Sequence, residues 1–209
     1  MPPKKQVYQF KISLQGIKPV IWRRIQVPCT YTFWDLHVAI QDAMGWLDYH
    51  LHEFHLKELN GTKLFIGIPM DEDDLMDGFF ETHKVLPGWK HKVSKFISIT
   101  EPNFLYVYDF GDDWHHSIKL EKVLPAEEGV DYPRCIGGKR NSPPEDCGGP
   151  YGYQNMLEVL DDPEDEEYES TREWVDSMKE EPFDPEKFIP SEVMFDDPKE
   201  RFKRAFEEV

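Results

Sequence analysis

The sequence predicts an α+β domain with a mainly antiparallel, roll-like sheet and helices packed on it. Apolar and polar residues alternate with the period of a strand in residues 8–14 and 20–27, and again on both sides of a turn in residues 104–124. Between these two hairpins, residues 33–44 have the spacing of a helix. Strands and helices that do not alternate strictly favour an α+β fold over a parallel α/β sheet.

The first helix has signals at both ends. Thr32 and Asp35 form a capping-box pattern, in which each side chain accepts a hydrogen bond from the other residue's backbone. An apolar stripe continues at helical spacing as far as Met44, and Gly45 is the residue type that ends a helix in the left-handed conformation. We therefore expect a helix over residues 33–44, lying across one face of a single sheet that contains both hairpins.

The second hairpin carries the densest group of polar and aromatic residues. Its strands, 104–109 and 114–124, flank a Phe-Gly-Asp-Asp turn. A period of two places Trp114 and His116 on one apolar face of the sheet, together with Ile118. A buried histidine that satisfies its own hydrogen bonds is the simplest interpretation of His116.

Residues 125–149 are rich in proline and glycine and have almost no apolar periodicity, which predicts a long loop. We expect this loop to be ordered and to pack on the second hairpin, because prolines lower the entropy cost of ordering. Helical patterns follow, and the last begins at Asp197 and Pro198. These patterns predict one domain over residues 1–186 and a helical extension over residues 187–209.

Charge is distributed unevenly along the 209 residues, whose formal net charge is −17. Residues 121–209 carry 26 acidic and 11 basic side chains, whereas residues 1–120 are nearly balanced. A field of this sign repels phosphate backbones, so nucleic acid is an unfavourable partner. No apolar run approaches the roughly 20 residues of a membrane span. The N-terminus has no apolar signal-peptide region, and we expect a cytoplasmic protein without a membrane segment.

The sequence predicts a binding site where the hairpin of residues 104–124 meets the loop of residues 133–153. The predicted site residues are polar or aromatic and lie in these two segments or in the third strand: Asp109, Asp112, Trp114, His116, Glu145, Asp146, Tyr151 and His52. Their carboxylates would contact cations or polar groups, and the tryptophan would pack. We expect the two segments to line one concavity. If His116 faces the carboxylates there, its pKa should rise.

Histidines and cysteines supply further ligand types. His50 and His52 are expected on one face of the third strand, close enough to share a metal ion or a carboxylate. Cys135 and Cys147 are weak candidate zinc ligands, with His50, His52 or His116 to complete the set, because they lack the close spacing of a zinc knuckle. The sequence therefore predicts neither a metal ion nor another cofactor.

Several motifs, in order along the chain, resemble the plasmid pRiA ORF-three-like family. They are VIWRR at 20–24, Trp46, HLHEF at 50–54, YDFGDDW at 108–114 and PPEDCGG at 143–149. The resemblance runs from about residue 8 to about residue 186. It implies an α+β, roll-like domain of unknown function, found on plasmids, on chromosomes and as a passenger of some transposable elements. It carries over no established catalytic residue. Where the family often has a cysteine, this chain has Ser142.

The leading functional hypothesis is a cytosolic binding or interaction module for an unknown protein or small-molecule ligand. One alternative is a metal-assisted hydrolase that uses His52, His116 and the neighbouring carboxylates. Another is a nucleic-acid-associated accessory protein of mobile elements, acting through Arg23, Arg24 and nearby lysines. Bound metal would favour the hydrolase, and a contiguous basic stripe on the first two strands would favour nucleic acid. The oligomeric state is left open.

Overall fold

The computed structural model describes residues 5–57, 61–69, 83–178 and 182–207. The strands in these ranges are β1 (Gln6–Leu14), β2 (Trp22–Pro28), β3 (His52–Lys57), β4 (Lys63–Gly67), β5 (Val85–Pro87), β6 (Asn103–Tyr108), β7 (Trp114–Pro125) and β8 (Arg134–Lys139). They form one sheet in the order β5-β4-β3-β6-β7-β1-β2-β8. β4 and β5 are parallel, and the other neighbours are antiparallel. The predicted α+β class is confirmed.

Both predicted hairpins lie in this single sheet, because β1 pairs with β7 as well as with β2. Burial alternates along β7 as the sequence pattern predicts. Trp114, His116 and Ile118 are buried, and the residues between them are more exposed. The chain therefore joins the two hairpins through a long-range pairing between their central strands.

The helices are α1 (Phe33–Met44), α2 (Gly149–Asp161), α3 (Tyr168–Ser177) and α4 (Pro198–Phe206). The bounds predicted for the first helix are confirmed. Thr32 and Asp35 make both hydrogen bonds of the capping box, and Gly45 ends the helix with a φ of 74°. α1 packs across one face of the sheet, where Phe33 packs against Phe54 of β3 with ring centroids 5.0 Å apart. A fully buried phenylalanine of this kind contributes roughly 1.5–3 kcal/mol of hydrophobic free energy.

The 125–149 segment differs from its prediction. Part of it is strand β8, which pairs with β2 at the edge of the sheet and not with the second hairpin. The sequence pattern did not predict β8, because its two glycines interrupt the alternation of apolar and polar residues. Gly138 is needed there, since a Cβ atom would lie 2.2 Å from the ring of Phe188. Only the end of the segment reaches the hairpin, where Asp112 accepts a hydrogen bond from the Gly148 backbone.

α4 lies on α1. The Trp34 indole donates a hydrogen bond to the Pro198 carbonyl, and its ring packs against Phe202 and Phe206 of α4. Arg201 adds an ion pair to Asp42 of α1 at 2.7 Å. Among the described helices, none is long and apolar enough to cross a membrane.

Candidate functional site

The segment between α1 and β3, residues 46–51, forms one wall of the candidate site. The Trp46 indole donates to the Pro143 carbonyl, and the Leu47 backbone donates to the Glu145 carboxylate at 2.8 Å. The segment has no regular secondary structure, and Asp48 has a φ of 63°. The long loop and the α1–β3 connection are therefore joined by hydrogen bonds, and the β6–β7 turn lies next to both.

Three side chains from these three segments converge at the surface. We call them the outer cluster: His50, Asp109 and Asp146. His50 Nε2 lies 3.0 Å from Asp146 Oδ1 and 3.6 Å from Asp109 Oδ2. The side chains of Asp109, His50 and Asp146 are 9, 30 and 62 % exposed, so the cluster is buried on one side and open on the other. One donor atom from each side chain lies within 4.8 Å of the other two.

The β6–β7 turn holds Asp109 in place. Its Oδ1 atom accepts hydrogen bonds from the backbones of Gly111 and Asp112 at 2.9 and 3.3 Å, which leaves Oδ2 toward His50. The loop is fastened to the same turn, because Asp112 Oδ2 accepts from the Gly148 backbone at 3.1 Å. Asp112 thus positions the loop and does not belong to the three-residue group.

Glu145 supports the site from below. It accepts from the Leu47 backbone and from the Tyr108 hydroxyl, and Tyr108 in turn stacks on Trp46 with centroids 5.1 Å apart. Burial raises the pKa of the Glu145 carboxyl, and burial together with Glu145 raises the pKa of Tyr108. The predicted meeting of hairpin and loop carboxylates therefore involves Asp146 at the surface and Glu145 underneath.

Trp114 and His116 lie in the core and not at the mouth. Trp46 covers both of them, with ring centroids 5.9 Å from Trp114 and 5.2 Å from His116. The carboxylates of the outer cluster are not among the groups that act on His116, whose Nδ1 lies 3.3 Å from the Tyr106 carbonyl. Burial lowers the pKa of His116 to about 3. The predicted rise in the pKa of His116 required His116 to face the carboxylates, and it does not face them.

Tyr151 stands on the first turn of α2 and is 85 % exposed. Its neighbour Tyr153 is the buried tyrosine of this helix. The two side chains point to opposite faces of the helix. The ring that packs in the core is therefore that of Tyr153, and not that of the predicted site residue Tyr151. Tyr151 remains available to a ligand only as an exposed ring.

His52 belongs to a second group, and the prediction that it shares a strand face with His50 is wrong. β3 begins at His52, so His50 lies in a bend where the strand's period of two does not apply. His52 stacks on His37 of α1, with ring centroids 3.5 Å apart and planes 8° from parallel. His37 Nε2 lies 2.8 Å from Asp48 Oδ1. We call His37, Asp48 and His52 the inner cluster; their donor atoms also lie within 4.8 Å of one another.

Polar groups of α1 and β6 surround the inner cluster. The Tyr106 hydroxyl lies 2.8 Å from His37 Nδ1 and accepts a hydrogen bond from the Gln41 amide at 2.8 Å. Burial, with His37 adding to it, lowers the pKa of His52 well below its ordinary value. Sequence reasoning missed this group. The signal was His37 and Gln41, two polar residues one turn apart on the buried face of α1, where an unpaired polar group is costly.

The two weak metal candidates lie elsewhere. Cys135 is in β8, and burial raises its pKa. Cys147 is in the loop, where burial and then Asp112 raise its pKa to about 12. A raised pKa disfavours the thiolate that a metal ion binds. Within the described ranges, the groups of three ligands contain no cysteine.

The arginines named for the nucleic-acid alternative are engaged within the protein. Arg23 is buried and donates to the Ala43 carbonyl and to Ser142 at 2.8 and 2.9 Å, and burial lowers its pKa to about 10. Arg24 pairs with Glu121 at 2.7 Å. Ser142, where the family often has cysteine, thus serves as a partner for Arg23. The first two strands do not present these arginines as a free basic stripe.

Fold and site together define a single-sheet α+β domain with two histidine–carboxylate clusters around the α1–β3 connection. The chain belongs to the family described as plasmid pRiA4b ORF-3-like protein, whose model matches residues 6–192. It is 36% identical over 171 residues to the uncharacterized protein y4hQ of Sinorhizobium fredii (strain NBRC 101917 / NGR234), covering 82% of this chain and 81% of that protein. It is also similar to the crystal structure of MM3350, a protein of unknown function from Methanosarcina mazei Go1. That match has a TM-score of 0.79, 47% identity and coverage of 92% of this chain and 99% of the other.

Proposed function

We propose that the protein is a binding module whose site is the outer cluster, and that the cluster holds a divalent metal ion. The observation that carries the proposal is the position of His50 Nε2, 3.0 and 3.6 Å from two carboxylate oxygens of separate segments. Zinc binds nitrogen and oxygen at about 2.0–2.2 Å, so two donors of one tetrahedral site lie roughly 3.3 Å apart. The measured separations bracket that value.

The orientation of the imidazole also supports a metal ion. His50 Nε2 is buried and lies near both carboxylates, yet neither contact has hydrogen-bond geometry. Three other histidine–carboxylate contacts, His55–Glu53, His83–Glu53 and His115–Asp113, are hydrogen bonds of 2.9–3.0 Å. In a metal site the ring nitrogen points at the ion between the ligands, and the neighbouring oxygens lie off that line.

The chemistry of the cluster selects a cation and leaves room for another ligand. Two carboxylates and one imidazole suit divalent ions such as Zn²⁺ and Mn²⁺. Asp146 is largely exposed, so a fourth position toward solvent stays open to water or to a polar group of a bound molecule. His52 and His116, which the hydrolase alternative requires, are buried away from this opening.

Isothermal titration of the untagged, chelator-treated full chain with Zn²⁺ tests the proposal. We expect His50→Gln and Asp146→Asn each to weaken one binding event at least tenfold, because each removes one of three ligands. The matched control is His115→Gln, which disrupts an exposed histidine–aspartate hydrogen bond beside the same turn and should leave Zn²⁺ binding unchanged. Equal titrations for wild type, His50→Gln and Asp146→Asn would rule out the outer cluster as a metal site.

A further inference from the structure

We infer that the inner cluster is a second, buried metal site, which takes a transition-metal ion through His37, His52 and Asp48. The two sites share no residue, so this inference does not rest on the function proposed for the outer cluster. Two imidazoles and one carboxylate form a nitrogen-rich set of ligands, which suits Zn²⁺, Co²⁺ or Fe²⁺.

Unpaired polar atoms are concentrated at this place. Nine buried side-chain nitrogen or oxygen atoms in the described part of the chain have no hydrogen-bond partner, and five of them surround the inner cluster. These five are His37 Nε2, Gln41 Oε1, His52 Nδ1, His52 Nε2 and Arg201 Nη1. Each unpaired buried polar atom costs about 1–3 kcal/mol. A bound metal ion would give the imidazole nitrogens of this group a partner.

The contact between His37 and Asp48 is short but lacks hydrogen-bond geometry, as do the contacts of His50 with its two carboxylates. His37 Nε2 lies 2.8 Å from Asp48 Oδ1 without hydrogen-bond alignment. The other nitrogen of His37 lies 2.8 Å from the Tyr106 hydroxyl, which holds the ring and leaves Nε2 for a ligand. A second hydrogen bond that orients a metal-binding imidazole is a regular feature of metal sites.

His52 has to move to bind. Its ring is stacked on His37 with centroids 3.5 Å apart, so the lone pairs of the two rings lie in nearly parallel planes and cannot both point at one ion. His37 is held by Tyr106, whereas both nitrogens of His52 are without a hydrogen bond. We therefore expect His52 to tilt about its side-chain torsions while His37 stays in place.

An ion would enter beside Asp48, whose side chain is 12 % exposed while that of His37 is fully buried. Arg201 of α4 lies at this entrance, with Nη1 3.7 Å from Asp48 Oδ2. Trp34 covers the cluster from the side, with its ring 5.1 Å from His37 and 6.1 Å from His52. The inner cluster is thus enclosed by protein, and an ion from solvent would reach it past the Asp48 carboxylate.

The test is a Co²⁺ and Zn²⁺ titration of the chelator-treated full chain, comparing wild type with His52→Phe. Phenylalanine keeps the stacking on His37 and removes both unpaired nitrogens, so the apo variant should unfold at the same temperature as wild type or higher. We expect the variant to lose the inner binding event, with at least a tenfold fall in affinity, and to lose the stabilisation that Zn²⁺ gives at that site. His55→Phe, on the same strand but on the other face of the sheet, is the matched control and should bind as wild type does.

Binding by His52→Phe with wild-type stoichiometry and affinity would overturn the inference. Asp48→Asn provides a second test that does not depend on how His52→Phe folds, because asparagine tolerates the φ of 63° at this position and removes only the anionic ligand. Unchanged binding by Asp48→Asn would likewise overturn it. The outer-cluster variants report separately: loss of binding in His50→Gln alone identifies the outer site, and loss in His52→Phe alone identifies the inner one.

Discussion

The outer and inner clusters use the same types of ligand in opposite proportions. The outer cluster has two carboxylates and one imidazole at the protein surface, whereas the inner cluster has two imidazoles and one carboxylate under α1. Burial of an unpaired charge is far more costly than burial of a neutral ring, so the deeper site can hold only one carboxylate. Depth in the fold therefore favours the side-chain types that each cluster contains.

The two clusters also differ in what positions their ligands. Hydrogen bonds from Tyr106 and Gln41 position the inner cluster. Tight turns position the outer one: Asp109 and Asp146 have φ values of 56° and 55°. Together with Asp48, these are three of the five non-glycine residues that have a positive φ in the described ranges. Such conformations concentrate at functional sites, and aspartate tolerates them better than most residues.

Among these substitutions, Gly149→Ala should produce the largest difference between the outer and the inner cluster. A Cβ atom there would lie 2.3 Å from the Asp112 carbonyl oxygen, and the φ of 68° adds left-handed strain. We expect a loss of about 3 kcal/mol in unfolding free energy, from strain of about 1–2 kcal/mol and the overlap. Outer Zn²⁺ binding should weaken and inner binding should persist.

Gly129→Ala is the control for Gly149→Ala. Its φ of 75° imposes similar strain, but a Cβ atom meets nothing within 4 Å, so we expect a loss of only about 1 kcal/mol. Urea unfolding and Zn²⁺ titration measure both quantities. Equal losses in the two variants would mean that the loop is not fastened to the turn at Gly149.

Tyr106→Phe and Tyr108→Phe compare the supports of the two clusters. Loss of the Tyr106 hydroxyl leaves the Gln41 amide and His37 Nδ1 unpaired in the core, and we expect a cost of about 2–3 kcal/mol. Loss of the Tyr108 hydroxyl should cost about 1 kcal/mol, because Glu145 keeps its bond to the Leu47 backbone. The Tyr49 backbone N–H also loses its acceptor, but Tyr49 is exposed and water can replace the hydroxyl. Urea unfolding measures both. A larger effect for Tyr108→Phe would show that the Tyr108 hydroxyl, and not the Tyr106 hydroxyl, contributes more to stability.

His116 shows how a buried histidine behaves without a carboxylate. Its pKa is lowered by burial to about 3 from an ordinary value of 6.5. Between these values the unfolded chain takes up a proton that the folded chain does not, so stability falls as the pH falls through this window. The expected slope is about 1.4 kcal/mol per pH unit.

His116→Leu should lower the slope of the unfolding free energy against pH by about 1.4 kcal/mol per pH unit between pH 6.5 and 4.5, and the contribution of His52, whose pKa is also lowered by burial, should remain. His115→Leu changes the neighbouring, more exposed histidine and should leave the slope as it is in wild type. Identical pH profiles for wild type and His116→Leu would show that His116 does not contribute to the acid destabilisation.

Local sequence signals predicted the parts of the site that depend on local geometry. The Asp109 turn and the loop with Asp146 were expected to meet because these two dense groups of polar and aromatic residues are separated by only a short stretch of chain. Pairing of Trp114 and His116 on one face followed from the period of a strand, and that same period shows why they are buried. Tyr151 and Tyr153 lie on opposite faces of α2, and the neighbouring elements bury Tyr153 and leave Tyr151 exposed.

By itself the sequence determined the α+β class, the ends of α1 and the two hairpins, because capping and periodicity act over a few residues. Only the tertiary structure decided that His50 and His52 belong to different clusters. That outcome depends on where β3 begins, and on α1 and β6 meeting β3 across the sheet. Histidines two residues apart can diverge because the backbone bends between them, and residues far apart, such as His37 and Tyr106, meet because the sheet pairs their elements.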